Sequence, residues 1–202
     1  MRRLLAASLV LIVAGCAYST PLPIPSALGT PTGAPASGAT PTPMPVEPTD
    51  GLGPFVCTFP QSLNGATDRA QISAVRGGAH ADYDRIVFEF RGEGATGAIP
   101  AIQIDVGTPP FTQDPSDLPI SVSGVSFLIL TLHGASTIDP DGNPTYTGTT
   151  DYKPGLPILQ ELAMAGDFEA VSTWIAGLSG PACARITVVT DPSRLVIDLS
   201  KK

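Results

Sequence analysis

Histidine, cysteine and charge are all scarce in this chain, and each scarcity removes a class of chemistry. Its 202 residues hold two histidines and three cysteines, and 14% are charged. His80 and His133 stand in no HxxxH or HxxEH spacing, so a zinc hydrolase centre is not expected and no metal site is assigned. Asp139-Pro140-Asp141-Gly142-Asn143 sets oxygens at alternate positions as a calcium loop does. Pro144 stands where that loop needs its glycine, so the stretch reads as a loop tip. No GxSxG or SxxK motif occurs, neither Cys57 nor Cys183 has a base beside it in sequence, and Asp105, Asp114, Asp117 and Asp151 are scattered. No catalytic residue is assigned, no cofactor is implied, and the chain is expected not to be an enzyme. Basic residues are also few: 11 Lys and Arg face 18 Asp and Glu, a net charge of −7 that would repel a phosphate backbone and argues against nucleic acid.

No apolar run is long enough to span a bilayer. The one at the N-terminus, Leu4 to Val13, falls short of the ~20 residues a transmembrane helix needs. With Arg2 and Arg3 before it, it reads as an export signal. Val13-Ala14-Gly15-Cys16 resembles the bacterial lipobox, which implies cleavage before Cys16 and acylation of its thiol. Each buried methylene contributes about 0.8 kcal/mol, so several acyl chains hold a protein on a membrane without spanning it. The expected location is extracytoplasmic, lipid-anchored to a bacterial membrane in the cell envelope.

What the chain has in quantity is proline and glycine, 22 and 21 residues. From Ala17 to about Pro54 they join threonine, alanine and serine, with Glu47 and Asp50 as the charges, and apolar periodicity disappears. A disordered tether is expected there, reaching on the order of 100 Å at ~3.1 Å per residue if fully extended.

Beyond it, short apolar runs alternate with turn residues, the pattern of an all-β antiparallel sandwich of two packed sheets. Strands are expected at 55–59, 71–77, 83–91, 101–106, 127–133, 158–165, 168–176, 184–190 and 194–199, with a short helix as the alternative around 157–166. Asp84-Arg85-Ile86-Val87-Phe88-Glu89-Phe90 and Ser193-Arg194-Leu195-Val196-Ile197-Asp198-Leu199 share one design. The period of two puts Ile86, Phe88 and Phe90 on a core face with Arg85, Val87 and Glu89 opposite, and sorts Leu195, Ile197 and Leu199 from Arg194, Val196 and Asp198. Thr190-Asp191-Pro192-Ser193 reads as a type I turn joining the last two strands into a hairpin. In an oxidising compartment Cys57 and Cys183 suit a disulfide, with two free buried thiols as the alternative.

HADYDRIVFEF, GDFEAVSTWIAGL and ITVVTDPSRLVIDL, in that order, resemble the AMIN-like domain of bacterial lipoproteins and envelope proteins. DPSRLVIDL is also similar to a strand of AMIN domains proper, while Pro109 to Gly155 matches little. The resemblance implies a non-catalytic sandwich that targets its host to peptidoglycan. The expected organisation is a signal peptide at 1–15, a lipidated cysteine and tether at 16–54, and an AMIN-like β-sandwich domain at 55–202.

Its expected role is a non-catalytic, lipid-anchored binding module for peptidoglycan or another wall polymer. The alternative is a structural adaptor that binds an exported or envelope protein, for which strand addition at an exposed sheet edge is one mode. Sugar rings pack on aromatic faces and carboxylates suit arginine, so Arg85, Arg194, Tyr83 and Trp174 are the candidate ligand residues. For Trp174 the competing role is core packing; for the arginines it is cross-strand pairing with Glu89 and Asp198.

Overall fold

The computed structural model describes residues 52–67, 69–92 and 99–202; the expected signal peptide, Cys16 and nearly all of the tether lie outside them. Thirteen strands form the described fold: β1 (Gln61–Leu63), β2 (Ala70–Ala79), β3 (Tyr83–Gly92), β4 (Ala101–Gly107), β5 (Phe111–Gln113), β6 (Leu118–Ile120), β7 (Ser126–His133), β8 (Ala135–Ser136), β9 (Asp151–Tyr152), β10 (Leu159–Phe168), β11 (Val171–Leu178), β12 (Ala182–Thr190) and β13 (Ser193–Lys201). One sheet runs β1-β4-β7-β11-β10-β9, the other β12-β13-β3-β2-β8, and β5 and β6 make a separate ribbon. The all-β sandwich is thus observed, and 159–168 is strand rather than helix.

The two arginine strands are neighbours at the centre of the five-stranded sheet, antiparallel, with Asp198 opposite Arg85 and Arg194 opposite Glu89. Their alternation is obeyed on the core side: Ile86, Phe88, Phe90, Leu195, Ile197 and Leu199 are all buried. They meet Ile102, Ile104, Leu130, Leu132, Leu162 and Trp174 of the opposing sheet in one continuous core. Full burial of side chains this size contributes roughly 1.5 to 3 kcal/mol each, which makes this interface the main source of stability.

Three expectations need correction. Residues 55–59 are not a strand; Val56 forms a single antiparallel bridge with Ala184, and the strand follows at 61–63. The run 168–176 contains a turn, because Glu169 and Ala170 take φ of 50° and 58° between β10 and β11. The β12–β13 hairpin is present, but its Asp191–Pro192 peptide is cis, so the turn is not type I.

The outer faces of the two sheets are treated differently. Over the six-stranded sheet, Phe111 packs with Ala165 and Ile175, joined by Ile120, Val122, Phe127 and Ile129. The proline-rich region after β4 therefore acts as a cover for that sheet. At the free edge of β12, Val56 exchanges both backbone hydrogen bonds with Ala184, at 2.8 and 2.9 Å. Cys57 and Cys183 form a disulfide beside this bridge, across a separation of 126 residues. Closing so long a loop stabilises by about 4 to 5 kcal/mol in the chain-entropy model.

Candidate functional site

The register of the five-stranded sheet brings most of the arginines to one surface. Arg185 faces Asp198, Asp198 faces Arg85, Arg76 faces Val87, Arg194 faces Glu89 and Arg91 faces Gln71. By the alternation of β3 and β13, all five of these arginines are on the side away from the core. The described residues contain six arginines, and only Arg69 is elsewhere. Glu89 and Asp198 are the carboxylates on the same face of these strands. A chain of net charge −7 thus carries a face with a local positive excess.

Asp198 is the centre of this face. It is 0% exposed although it points away from the core, because guanidinium groups enclose it. Arg85 grips it bidentately, Nε to Oδ1 at 2.6 Å and Nη2 to Oδ2 at 2.9 Å. From the other side Arg185 donates Nε and Nη2 to Oδ2 at 3.1 and 2.7 Å. Burial pushes the Asp198 carboxyl up, but the hydrogen bonds and charges of Arg85 and Arg185 outweigh it and hold the carboxyl below its usual range. Two cations about one anion leave the cluster one positive charge in excess.

Aromatic rings complete the cluster. The Arg185 guanidinium lies 4.6 Å from the Phe55 ring centroid and 5.3 Å from that of Tyr83, and Arg85 is also 5.3 Å from Tyr83. These are cation–π distances. On Tyr83, His80 stacks with centroids 4.4 Å apart and planes 14° from parallel. The Val56–Ala184 bridge explains why Phe55 is here: in antiparallel register the residue before Val56 falls opposite Arg185.

The four residues expected to bind ligand separate accordingly. Arg85 and Tyr83 are together in the cluster, with Arg85 Nη2 3.3 Å from the Tyr83 hydroxyl. Arg194 is on the same face but four residues along β13 from Asp198, roughly 13 Å at ~3.3 Å per residue. It does not take the Glu89 carboxylate; Arg76 does, at 2.5 Å, and Arg194 Nε donates to the Pro192 carbonyl at 3.4 Å. Trp174 is not at this surface. It is 0% exposed between the sheets, edge-on to Phe88 and Tyr146, with Nε1 donating to Ser172 Oγ at 2.9 Å. The core alternative for Trp174 is the observed one, since a side chain without exposed surface has none to offer a ligand.

Three important residues were not singled out from the sequence. Arg185 becomes visible once the β12–β13 register is fixed, because it then shares the phase of Cys183 and Thr187, away from Ala184 and Ile186. Phe55 depends on a single bridge that no local pattern announces. Asp84 had a readable signal: it shares the phase of Ile86, Phe88 and Phe90, so the alternation points a carboxylate inward. It is 1% exposed, and its Oδ2 accepts from the backbone N–H groups of Ile158 and Leu159 at 2.6 and 2.8 Å, linking the two sheets.

The Asp139 loop is closed on itself. Its carboxylate accepts from the backbone N–H groups of Asp141 and Asn143 and from the Asn143 amide, and the Asn143 backbone bond leads the causes that hold its carboxyl below the usual range.

The family model of the AMIN-like domain matches residues 70–201. No curated protein and no solved structure matches the chain.

Proposed function

The chain belongs to the AMIN-like domain family, a family of cell-envelope binding modules, and from that membership we propose that it holds peptidoglycan or another wall polymer on its arginine face while lipid on Cys16 anchors it to a membrane. The carrying observation is the placement of Arg76, Arg85, Arg91, Arg185 and Arg194 on one face of an otherwise acidic chain. Net charge alone opposes contact with an anionic polymer, but at ionic strengths where the Debye length is about 8 to 10 Å a ligand on this face responds mainly to local charge. Guanidinium groups suit carboxylate and phosphate through paired, charge-assisted hydrogen bonds. Asp198 fixes Arg85 and Arg185 before any ligand arrives, which lowers the ordering cost of binding.

Cosedimentation of the purified chain with peptidoglycan tests this. Saturable binding is expected, weakened ~tenfold in a folded Arg194→Ala variant and also weakened in Arg85→Ala. Failure of well-folded wild type to pellet with the wall, at low salt and with calcium present, overturns the reading.

A second reading has one observation in its favour. Among the described residues, the edge of β12 beyond Ala184 carries no strand partner from Ile186 to Thr190. An envelope protein could add a strand there. A stoichiometric protein partner recovered with a chain that does not bind the wall would establish that alternative.

A further inference from the structure

We propose that a second copy of this chain docks on the open edge of β12, so that two five-stranded sheets continue into one ten-stranded sheet with both arginine faces on the same side. The dimer itself does not depend on the wall-binding reading; only its consequence for the polymer does.

The exchange between Val56 and Ala184 shows which backbone groups look outward, since the N–H and C=O of Ala184 both face the edge. The β12–β13 ladder is regular from Ala182 to Thr190, so the alternation aims the N–H and C=O of Ile186, Val188 and Thr190 the same way. Among the described residues no strand pairs with this stretch. Pro54 comes next, opposite Ile186, but it has no N–H to donate and the bridge ends at Val56. Edge strands are normally blunted by a charge, a proline or a bulge. Ile186-Thr187-Val188-Val189-Thr190 has none of these, and all five residues are β-branched.

The strand that fits this edge is the same strand. Val56 closes the open stretch at one end and the Asp191–Pro192 turn closes it at the other, which puts its midpoint at Val188. Antiparallel pairing about that point sets Val188 against Val188, Ile186 against Thr190 and Thr187 against Val189 of the second copy. Such β-branched pairs suit a sheet, and no charge meets its like although each chain carries −7 overall. Beyond Thr190 the turn of the second copy brings Asp191 to Arg185. A cavity of about 360 Å³, with Pro54, Leu63, Arg185 and Ile186 among its walls, lies there to receive it. Arg185 belongs to the cluster with one positive charge in excess, so the turn and its seat are opposite in sign. An unrelated strand must supply that acid at that position, whereas this hairpin already carries it.

The two-fold axis of the pair stands perpendicular to the sheet. Arg85, Arg185 and Arg194 of both copies then face the same way, and a polymer held by one face is presented to the other at high effective concentration.

Sedimentation velocity of the full-length chain in detergent tests the dimer, with Val188→Pro as the comparison. The Val188 N–H faces the edge, so proline there removes a bond of the dimer and none of the β12–β13 ladder. A monomer–dimer equilibrium is expected, weakened at least ~tenfold in Val188→Pro. Val188→Cys supplies the second measurement. Its symmetric Cα atoms lie about 5.5 Å apart, within disulfide reach, so oxidation yields a covalent dimer. In Val189→Cys the symmetric Cα atoms are roughly 8 Å apart and no such dimer forms. Wild type that stays monomeric at on the order of 100 μM, a dimer unchanged by Val188→Pro, or equal crosslinking at the two positions overturns the proposal. So does crosslinking of Val188→Cys in cells to an envelope protein in place of itself, which gives the edge to that partner. Wall cosedimentation in parallel separates the claims: a dimer that ignores the wall refutes the wall reading alone, and a monomer that pellets with it refutes the dimer alone.

Discussion

Replacing Asp198 with asparagine should destabilise the domain far more than its place on an outer sheet face suggests. Asn keeps the shape and one acceptor but removes the charge that Arg85 and Arg185 share. The Arg185 side chain is 8% exposed and that of Arg85 27%, so the two halves of the loss differ. Removing one partner of a buried ion pair costs about 3 to 5 kcal/mol, because the remaining charge is left desolvated. Arg185 supplies most of that; Arg85 can turn toward solvent, and its share is discounted to ~1 kcal/mol or less. The sum remains about 3 to 5 kcal/mol, a fall in Tm of roughly 6 to 20 °C for a domain of this size. Urea denaturation with the disulfide intact measures it, provided the m-value is unchanged. Arg185→Met in the Asp198→Asn background should restore ~1 kcal/mol or more by removing the stranded cation. Arg194→Ala, whose one side-chain bond is long and exposed, should stay within about 0.5 kcal/mol. If Asp198→Asn lies within about 1 kcal/mol of wild type, the buried-pair account is refuted.

Acid should act through the same residue. The folded carboxyl of Asp198 titrates below its unfolded value near ~3.9, so its stabilisation is fully present above that pH and is lost as pH falls through the folded value. Urea midpoints should change little on this account from about pH 7 to about pH 5 and fall below about pH 4, with a flatter acid limb in Asp198→Asn; parallel limbs would refute the assignment. For the anchor, metabolic labelling with palmitate should mark the wild-type chain and leave Cys16→Ser unlabelled, and equal labelling would refute lipidation at that cysteine.

The sequence makes a strand legible where the strand supplies its own pattern. β3 and β13 alternate strictly, so their core residues could be named in advance, and the outer position of Arg85 followed with them. The disulfide was readable from compartment and cysteine count. The short strands β1, β5, β6, β8 and β9 were not, because two or three residues cannot show a period; neighbouring strands define them. The turn at Glu169 and Ala170 lacked the glycine or asparagine that normally marks positive φ. At the site, strand phase placed Arg85 and Tyr83, but phase does not tell which strands are adjacent. Arg185 therefore waited on the register, and so did the burial of Asp198, which needs guanidinium groups from both sides.

The disulfide at the edge of β12 also sets a mechanical route. A pull applied to the chain from its N-terminal side strips at most the few residues ahead of Cys57, including the single Val56–Ala184 bridge. At Cys57 the load passes through the covalent bond to Cys183, and β12 spreads it over the full ladder to β13 and then to β3. With the arginine face as the point of attachment, tension runs across three adjacent strands and bypasses most of the chain between the two cysteines. The six-stranded sheet and the core beneath it stay outside the line of force.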